Sequence, residues 1–191
     1  VAALSAAFAR GEESPHAELP IQYADFAVWQ RGWLQGEVLE AELRYWKQHL
    51  AGAPALLRLP TDRPRPAVQR HSGASQTFML PEELSARLKR LCRAEGVTLY
   101  MTLLAGFKVL LYRHSRERDI VVGTPIAGRN RTDIEGLIGF FVNTLALRTK
   151  LSAEQTFVEL LKNVRETTLG AYAHQDVPFE KLVEELQPER D

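Results

Sequence analysis

Residues 121–148 read VVGTPIAGRNRTDIEGLIGFFVNTLALR, and two apolar runs in and beside this stretch decide the fold class. The first, DIVVGTP from Asp119, is a short β-branched run that reads as a strand entering a Gly/Pro turn. The second, VNTLALRTKL from Val142, alternates its side chains as a strand does. Helical patterns flank both. TLYMTLLAGFKVLLYRHS, 98–115, is apolar on nearly all faces and reads as a buried helix. SAEQTFVELLKNVRETTLGAYA, 152–173, reads as a helix with a capping box from Ser152 to Gln155. Further upstream, SQTFML (75–80) reads as a strand, and PEELSARLKRLCRAEG (81–96) as a helix opened by Pro81 and closed by Gly96. Helices crossing between strands predict an α/β layered fold.

Outward from this block, APALLRLPTDRPRPAVQRHSGA (53–74) carries four prolines and little periodicity. It reads as an extended segment crossing between two lobes, with its arginines forming a solvated linker surface. Before it, IQYADFAVWQRGWLQG and EVLEAELRYWKQHLAG read as two helices punctuated by Gly36 and ended by Gly52. Val38, Leu39, Leu43 and Trp46 recur there at the spacing of a buried face, and all three tryptophans (29, 33, 46) fall in this pair. VAALSAAFAR, 1–10, is a short Ala-rich helix followed by a polar loop through Pro20. The organisation expected is a helical part (1–52), a Pro-rich crossing segment (53–74) and an α/β part (75–191).

The 191 residues are 45% hydrophobic and 25% charged, enough for a packed core under an ordinary soluble surface. Lys plus Arg and Asp plus Glu stand at 24 each, so no global basic footprint for nucleic acid or anionic lipid exists. Cys92 is the single cysteine; it excludes an internal disulfide and a multi-cysteine metal site and reads as one more apolar side chain. The most apolar stretch, Leu99 to Tyr112, is shorter than the ~20 residues a bilayer needs and contains Lys108. No signal peptide is legible at the start, and both ends read as cut from something longer. The expected setting is cytoplasmic.

Generic catalytic templates are absent: no Walker loop, paired-glycine dinucleotide turn, nucleophile elbow or HExxH occurs. The five histidines (16, 49, 71, 114, 174) are dispersed without metal-ligand spacing, so no metal site is expected.

Three stretches are more specific. YADFAVWQR (23–31), the 121–148 segment and HQDVPFEKLVEEL (174–186) occur in an order and spacing that resemble the condensation domains of nonribosomal peptide synthetases. LPTDRPRP at 59–66 also fits, and the closing Arg190 and Asp191 are similar to the start of a further family motif. The resemblance implies a chloramphenicol acetyltransferase-like fold of two lobes around a channel, with this chain supplying the end of the N-terminal lobe and most of the C-terminal lobe. It implies an acyltransferase that forms a peptide bond between a donor aminoacyl or peptidyl thioester and the amine of an acceptor aminoacyl thioester. Both substrates ride on phosphopantetheine held by carrier domains, beside an adenylation domain, in a multimodular synthetase of secondary metabolites such as antibiotics. No cofactor is expected to bind this chain directly. The family's HHxxxDG signature has no counterpart here, so the resemblance places the general base upstream of Val1 and implies that this segment alone is inactive. An epimerisation or heterocyclisation domain, or a non-catalytic module that binds carrier domains, remains open beside it.

Residue by residue, the strand period puts Asn143 on one face with Leu145 and Leu147, where an amide must find a partner. Either it bonds a neighbouring loop or, as the resemblance implies, it lines the channel. Gly123, Thr124 and Pro125 form either a structural turn or channel wall, and Arg129 offers a guanidinium to a phosphate. Gly139 is expected to permit close packing at a lobe contact. The resemblance matches Tyr23, Asp25, Ala27, Trp29 and Gln30 of the first motif; two aromatic faces on one helix read as core that supports the site indirectly. In HQDVPFEKLVEEL, Phe179, Leu182, Val183 and Leu186 form the buried stripe of a helix, Pro178 fits its first turn and Asp176 its N-cap. His174 and Asp176 then read as a helix start beside the channel, with Gln175 free to point into it.

Overall fold

The computed structural model describes residues 2–16, 18–64, 68 and 73–187. In chain order its elements are α1 (Ala2–Ala9), α2 (Tyr23–Trp33), α3 (Gly36–Leu50), α4 (Glu82–Glu95), α5 (Leu99–Ser115), β1 (Asp119–Ile126), α6 (Thr132–Glu135), β2 (Asn143–Lys150), α7 (Phe157–Ala173) and α8 (Phe179–Leu186). Parts of the crossing segment (65–67 and 69–72, including His71) and the closing Arg190–Asp191 lie outside the described residues; between 53 and 64 the chain is neither helix nor strand.

The two strands pair antiparallel, in register from Asp119 opposite Lys150 to Ile126 opposite Asn143. The mixed α/β character expected from the pattern is therefore present. Gly123, Thr124 and Pro125 do not form the expected turn: they lie inside β1, opposite Ala146, Leu145 and Thr144. Proline is tolerated there because, among the described residues, β1 has no partner on its other edge, where the missing N–H costs no ladder bond. Nor is β2 simply alternating, since every side chain from Leu145 to Thr149 is buried. Helices cover one part of it and buried polar groups the other.

The core gathers Leu43 and Trp46 of α3, Met101, Leu104, Ala105 and Leu111 of α5, Ile120 of β1, Leu145 and Leu147 of β2, and Leu160, Leu161 and Val164 of α7. Arg148 ties α3 to this sheet. Its guanidinium forks onto Asp119 at 2.6 and 2.8 Å and donates to the α3 C-terminal carbonyls of His49 (3.0 Å) and Ala51 (2.8 Å). That charge-assisted contact holds the Asp119 carboxyl below the usual carboxylate range.

Three further expectations change. Ser75–Leu80 is not a strand; with no partner among the described residues, Phe78 and Met79 stand 79% and 90% exposed. α5 is not buried all round: Leu99, Leu103, Phe107 and Leu110 face outward, opposite the core stripe. α7 begins four residues later than the first capping signal, at Thr156, whose hydroxyl accepts from the Glu159 N–H while Glu159 accepts from the Thr156 N–H. Ser152 and Gln155 do bond, Gln155 Oε1 accepting from the Ser152 N–H, but they order the approach to the helix.

A buried cation accompanies the sheet. Lys108 of α5 is fully buried, and its Nζ donates to the Leu147 carbonyl (2.8 Å) and the Thr149 hydroxyl (2.7 Å). Loss of solvation lowers its pKa from 10.5 to about 7. Among the described residues no single helix is long and apolar enough to cross a membrane.

Candidate functional site

Where β2 begins, the Asn143 amide meets the bend between α7 and α8. Its Nδ2 donates to the carbonyls of Gln175 (2.9 Å) and Val177 (2.8 Å). Its Oδ1 accepts from the backbone N–H of Thr144 (2.8 Å) and of Phe179 (2.9 Å). Asn143 therefore occupies the free N–H of the first residue of α8, the place expected for Asp176. The helix start at Pro178 has no side-chain cap of its own, and Asp176 turns away to accept from Asn130 Nδ2 at 3.2 Å.

His174 and Asp176 do not meet. The imidazole stacks on Tyr45 with ring centres 4.0 Å apart and its Nδ1 lies 3.2 Å from Glu42 Oε1, both on α3. The His174 carbonyl accepts from Trp46 Nε1 at 2.8 Å. Gln175 keeps its backbone in the bend and donates its Nε2 to the Tyr172 carbonyl at 2.9 Å.

Opposite this bend stands α2, pinned by the loop 127–142 through a second small core of Ile134, Leu137 and Phe141, with Ile21 and Phe26 against it. Asp25 performs local work: its carboxylate accepts from the Gln22 N–H at 2.8 Å and closes a capping box that starts α2. Tyr23 meets Phe141 edge-on at 5.1 Å and donates its hydroxyl to the Phe140 carbonyl at 3.0 Å. Gly139 lies under that ring, where a methyl group would overlap Tyr23. Gly128, at φ +64°, brings the backbone so close to Phe141 that a β-carbon would overlap its carbonyl.

The Arg129 guanidinium is used inside this loop. It donates to the Ile134 and Glu135 carbonyls and sits 4.2 Å above the Phe141 ring, so it braces the loop. Its neighbour Arg131 sits 4.6 Å above the Trp29 ring and pairs with Asp133 at 3.1 Å.

Between α2 and the bend lies a cleft of about 460 Å³. Tyr23, Phe26, Trp29, Gln30 and Trp33 line it from α2, Gln175, Asp176, Pro178 and Glu180 from the bend and the start of α8, and Gly128, Asn130, Arg131 and residues 140–143 complete the lining. Thus Tyr23, Trp29, Gln30, Asn143, Gln175, Asp176 and Pro178 are brought to one place. Gly123, Thr124, Pro125, Arg129, Asp25, Gly139 and His174 do not line it; Thr124 instead shares a 2.7 Å hydroxyl contact with Tyr100. The core reading of the α2 aromatics is corrected for Trp29 and Trp33, whereas Tyr23 and Phe26 do pack, against Phe141. No residue of α2 is buried, and Trp29 and Trp33, stacked 5.4 Å apart, are 41% and 37% exposed. Phe26, Trp33, Asn130 and Arg131 join the lining without having been expected there; of these Phe26, on the helical face of Tyr23 and Gln30, and Trp33, four residues from Trp29, carry a periodic signal.

The described residues hold no cluster able to bind a metal ion, and no His-His pair exists in the sequence. An apolar, aromatic-sided cleft edged by amides and carboxylates orients a ligand more readily than it exchanges protons with it.

Helices packed on an antiparallel strand pair, with a cleft at the start of β2, make a mixed α/β fold, and the solved structures it matches are of the chloramphenicol acetyltransferase-like class. The Condensation domain family model matches residues 2–191. A linear gramicidin synthase from Brevibacillus parabrevis is 65% identical over 184 residues, covering 96% of this chain and 2% of that protein. Malpinin synthetase of Mortierella alpina is 50% identical, covering 98% and 2%. Among solved structures, the X-domain from teicoplanin biosynthesis matches with a TM-score of 0.88 at 32% identity, over 97% of this chain and 42% of that one. A four-domain nonribosomal peptide synthetase bound to AMP and glycine matches with a TM-score of 0.85 at 35% identity, over 94% and 14%. The chain belongs to the condensation domain family of nonribosomal peptide synthetases, and it spans only a few per cent of the length of these two synthetases.

Proposed function

We propose that this chain forms one wall of a condensation site, in a domain that joins a carrier-bound aminoacyl or peptidyl thioester to the amine of a second carrier-bound aminoacyl thioester. The amine attacks the thioester carbonyl, the C–N bond forms, the C–S bond breaks, and the donor's pantetheine thiol leaves with a proton. A thioester is already activated, so the site's main task is to hold a neutral amine against the carbonyl, which suits a cleft of rings and amides. The observation that carries the reading is the convergence of all three sequence motifs on the same cleft, in a chain matched end to end by one family model.

In this reading the phosphopantetheine arms belong to partner carrier domains and enter as part of the substrates, and an adenylation domain lies alongside in a cytoplasmic, multimodular synthetase. The exposed faces of Trp29 and Trp33 suit an apolar linker or acyl chain, and the Gln175 and Asn130 amides suit its amide bonds. In this reading 53–74 crosses between the two lobes of the complete domain, and α3 packs on the 75–191 side, in the core of the strand pair. The general base belongs to an HHxxxDG motif that this sequence does not contain, so residues 1–191 alone give no turnover.

A second reading has its own support: the teicoplanin X-domain matched at a TM-score of 0.89 was solved in complex with OxyB. By that analogy the module serves to bind a partner protein. A single-turnover assay of the complete domain with loaded donor and acceptor carriers separates the two. Transfer of the donor acyl group to the acceptor amine is expected; carrier binding without transfer would overturn the condensation reading in favour of the recruiting module.

A further inference from the structure

The bend that forms the cleft's polar side is held by α3 as well as by Asn143. Asn143 takes the Gln175 and Val177 carbonyls from within the sheet. The preceding carbonyl, that of His174, is taken from the opposite direction by Trp46 Nε1, on a side chain only 1% exposed. The His174 ring is stacked against Tyr45 and bonded by Glu42, whose second carboxylate oxygen is buried without a partner among the described residues. Tyr45 itself fits because residue 170 of α7 is glycine: a β-carbon there would approach the tyrosine hydroxyl to 2.6 Å.

We propose that Glu42 and Trp46 are positioning residues for acyl transfer, acting through His174 on the cleft wall at Gln175–Pro178. This rests on the condensation reading of the cleft. Neither side chain lines the cleft. Their part is to fix where the Gln175 side chain and the Asp176 carboxylate face it. A buried carboxylate oxygen left unpaired is costly, so Glu42 is not the choice stability alone would make at this place. Its shape and acceptor are needed where the imidazole stands. Alignment of reacting groups is sensitive to shifts of an ångström or less, which is how contacts behind a wall reach the chemistry in front of it.

The test uses the intact synthetase, with loaded donor and acceptor carriers, and the variants Glu42→Gln, His174→Asn, the pair together, and Trp46→Phe. Each single variant is expected to lower the single-turnover rate about tenfold per folded molecule, with half-saturating carrier concentration unchanged. The pair is expected to lose no more than either single change, because both act through one contact. Amide hydrogen exchange at Gln175–Val177 is expected to quicken in each, while exchange in β2 stays slow. Multiplicative losses in the pair would overturn the proposal. So would variants whose melting temperature falls while turnover per folded molecule holds, since that is how a purely structural clasp behaves. If the unaltered synthetase binds both carriers and transfers nothing, the condensation reading itself falls, and this proposal with it.

Discussion

The two cores of this molecule are built on different terms. Around β1 and β2, Ile120, Leu147, Leu161 and Val164 are all completely buried, and five helices and two strands contribute to one continuous cluster. Around α2 and the 127–142 loop, three side chains are buried, and the rest of the aromatic ladder is left partly open. The first core makes a scaffold whose parts cannot move separately. The second holds a cleft wall by edge-on rings, one tyrosine hydroxyl and arginine faces, contacts that shift at little energetic cost. Asn143 stands where the two meet, with its backbone in the sheet and its amide in the bend. In the condensation reading, the binding surface is then drawn from the less stable part of the fold.

Breaking the scaffold should therefore have the largest effect. Leu161→Ala empties a fully buried position between α7 and the sheet, and a loss of about 2–5 kcal/mol in urea unfolding is expected. A loss under about 1 kcal/mol would show that α7 repacks freely and that the two cores do not differ.

Asn143→Ala tests the junction. It orphans two carbonyls and the Phe179 N–H at once, for an expected loss of about 2–3 kcal/mol. The discriminating sign is location: hydrogen exchange should quicken in 174–182 and spare β1. Uniform quickening would make Asn143 a member of the scaffold.

That amide also shows what could be read in advance. The helices α2, α3, α4 and α5 and both strands were legible from periodicity and from Gly and Pro punctuation, because those signals are local. The α8 start was legible, but its cap was not: the residue that fills it is 36 positions upstream, whereas Asp176 offered a local cap that the fold does not use. Two capping signals stood in tandem at 152–159; only the second closes a full box, because the Ser152 hydroxyl accepts from the Glu154 N–H and leaves the first half-formed. Exposure of Trp29 and Trp33 was illegible for another reason. Aromatic residues at helical spacing look alike whether a core or a cleft awaits them. Lys108 read as a charge on an apolar segment, and nothing local revealed that Leu147 and Thr149 would enclose it.

Lys108 gives the third test, inside the scaffold but electrostatic. The folded chain releases this proton near pH 7, whereas the unfolded chain keeps it until about 10.5. Between those values the unfolded state binds more protons, so stability rises with pH. Below pH 7 both states are charged and the penalty is constant. Over pH 7.5 to 9.5 this one group adds roughly 2 kcal/mol, at about 1.4 kcal/mol per pH unit when fully engaged. Lys108→Met should flatten that part of the profile in melts collected across the range. An unchanged slope would mean that other groups produce it.

The smallest effect on stability should come from the cleft's outer edge, and it sharpens the comparison most. Trp33 is 37% exposed and stacks on the Trp29 ring, so Trp33→Ala should cost under about 1 kcal/mol, the order of one aromatic pair. Its removal leaves both cores intact yet strips one face from the cleft. If the cleft guides an apolar substrate arm, the intact domain should need several-fold more loaded carrier for half-maximal transfer, while the rate at saturation holds. A ligand bound and then aimed by separate groups responds in that way. Unchanged carrier dependence would remove the tryptophan pair from the channel and return it to packing, while a loss of several kcal/mol would place α2 within the scaffold after all.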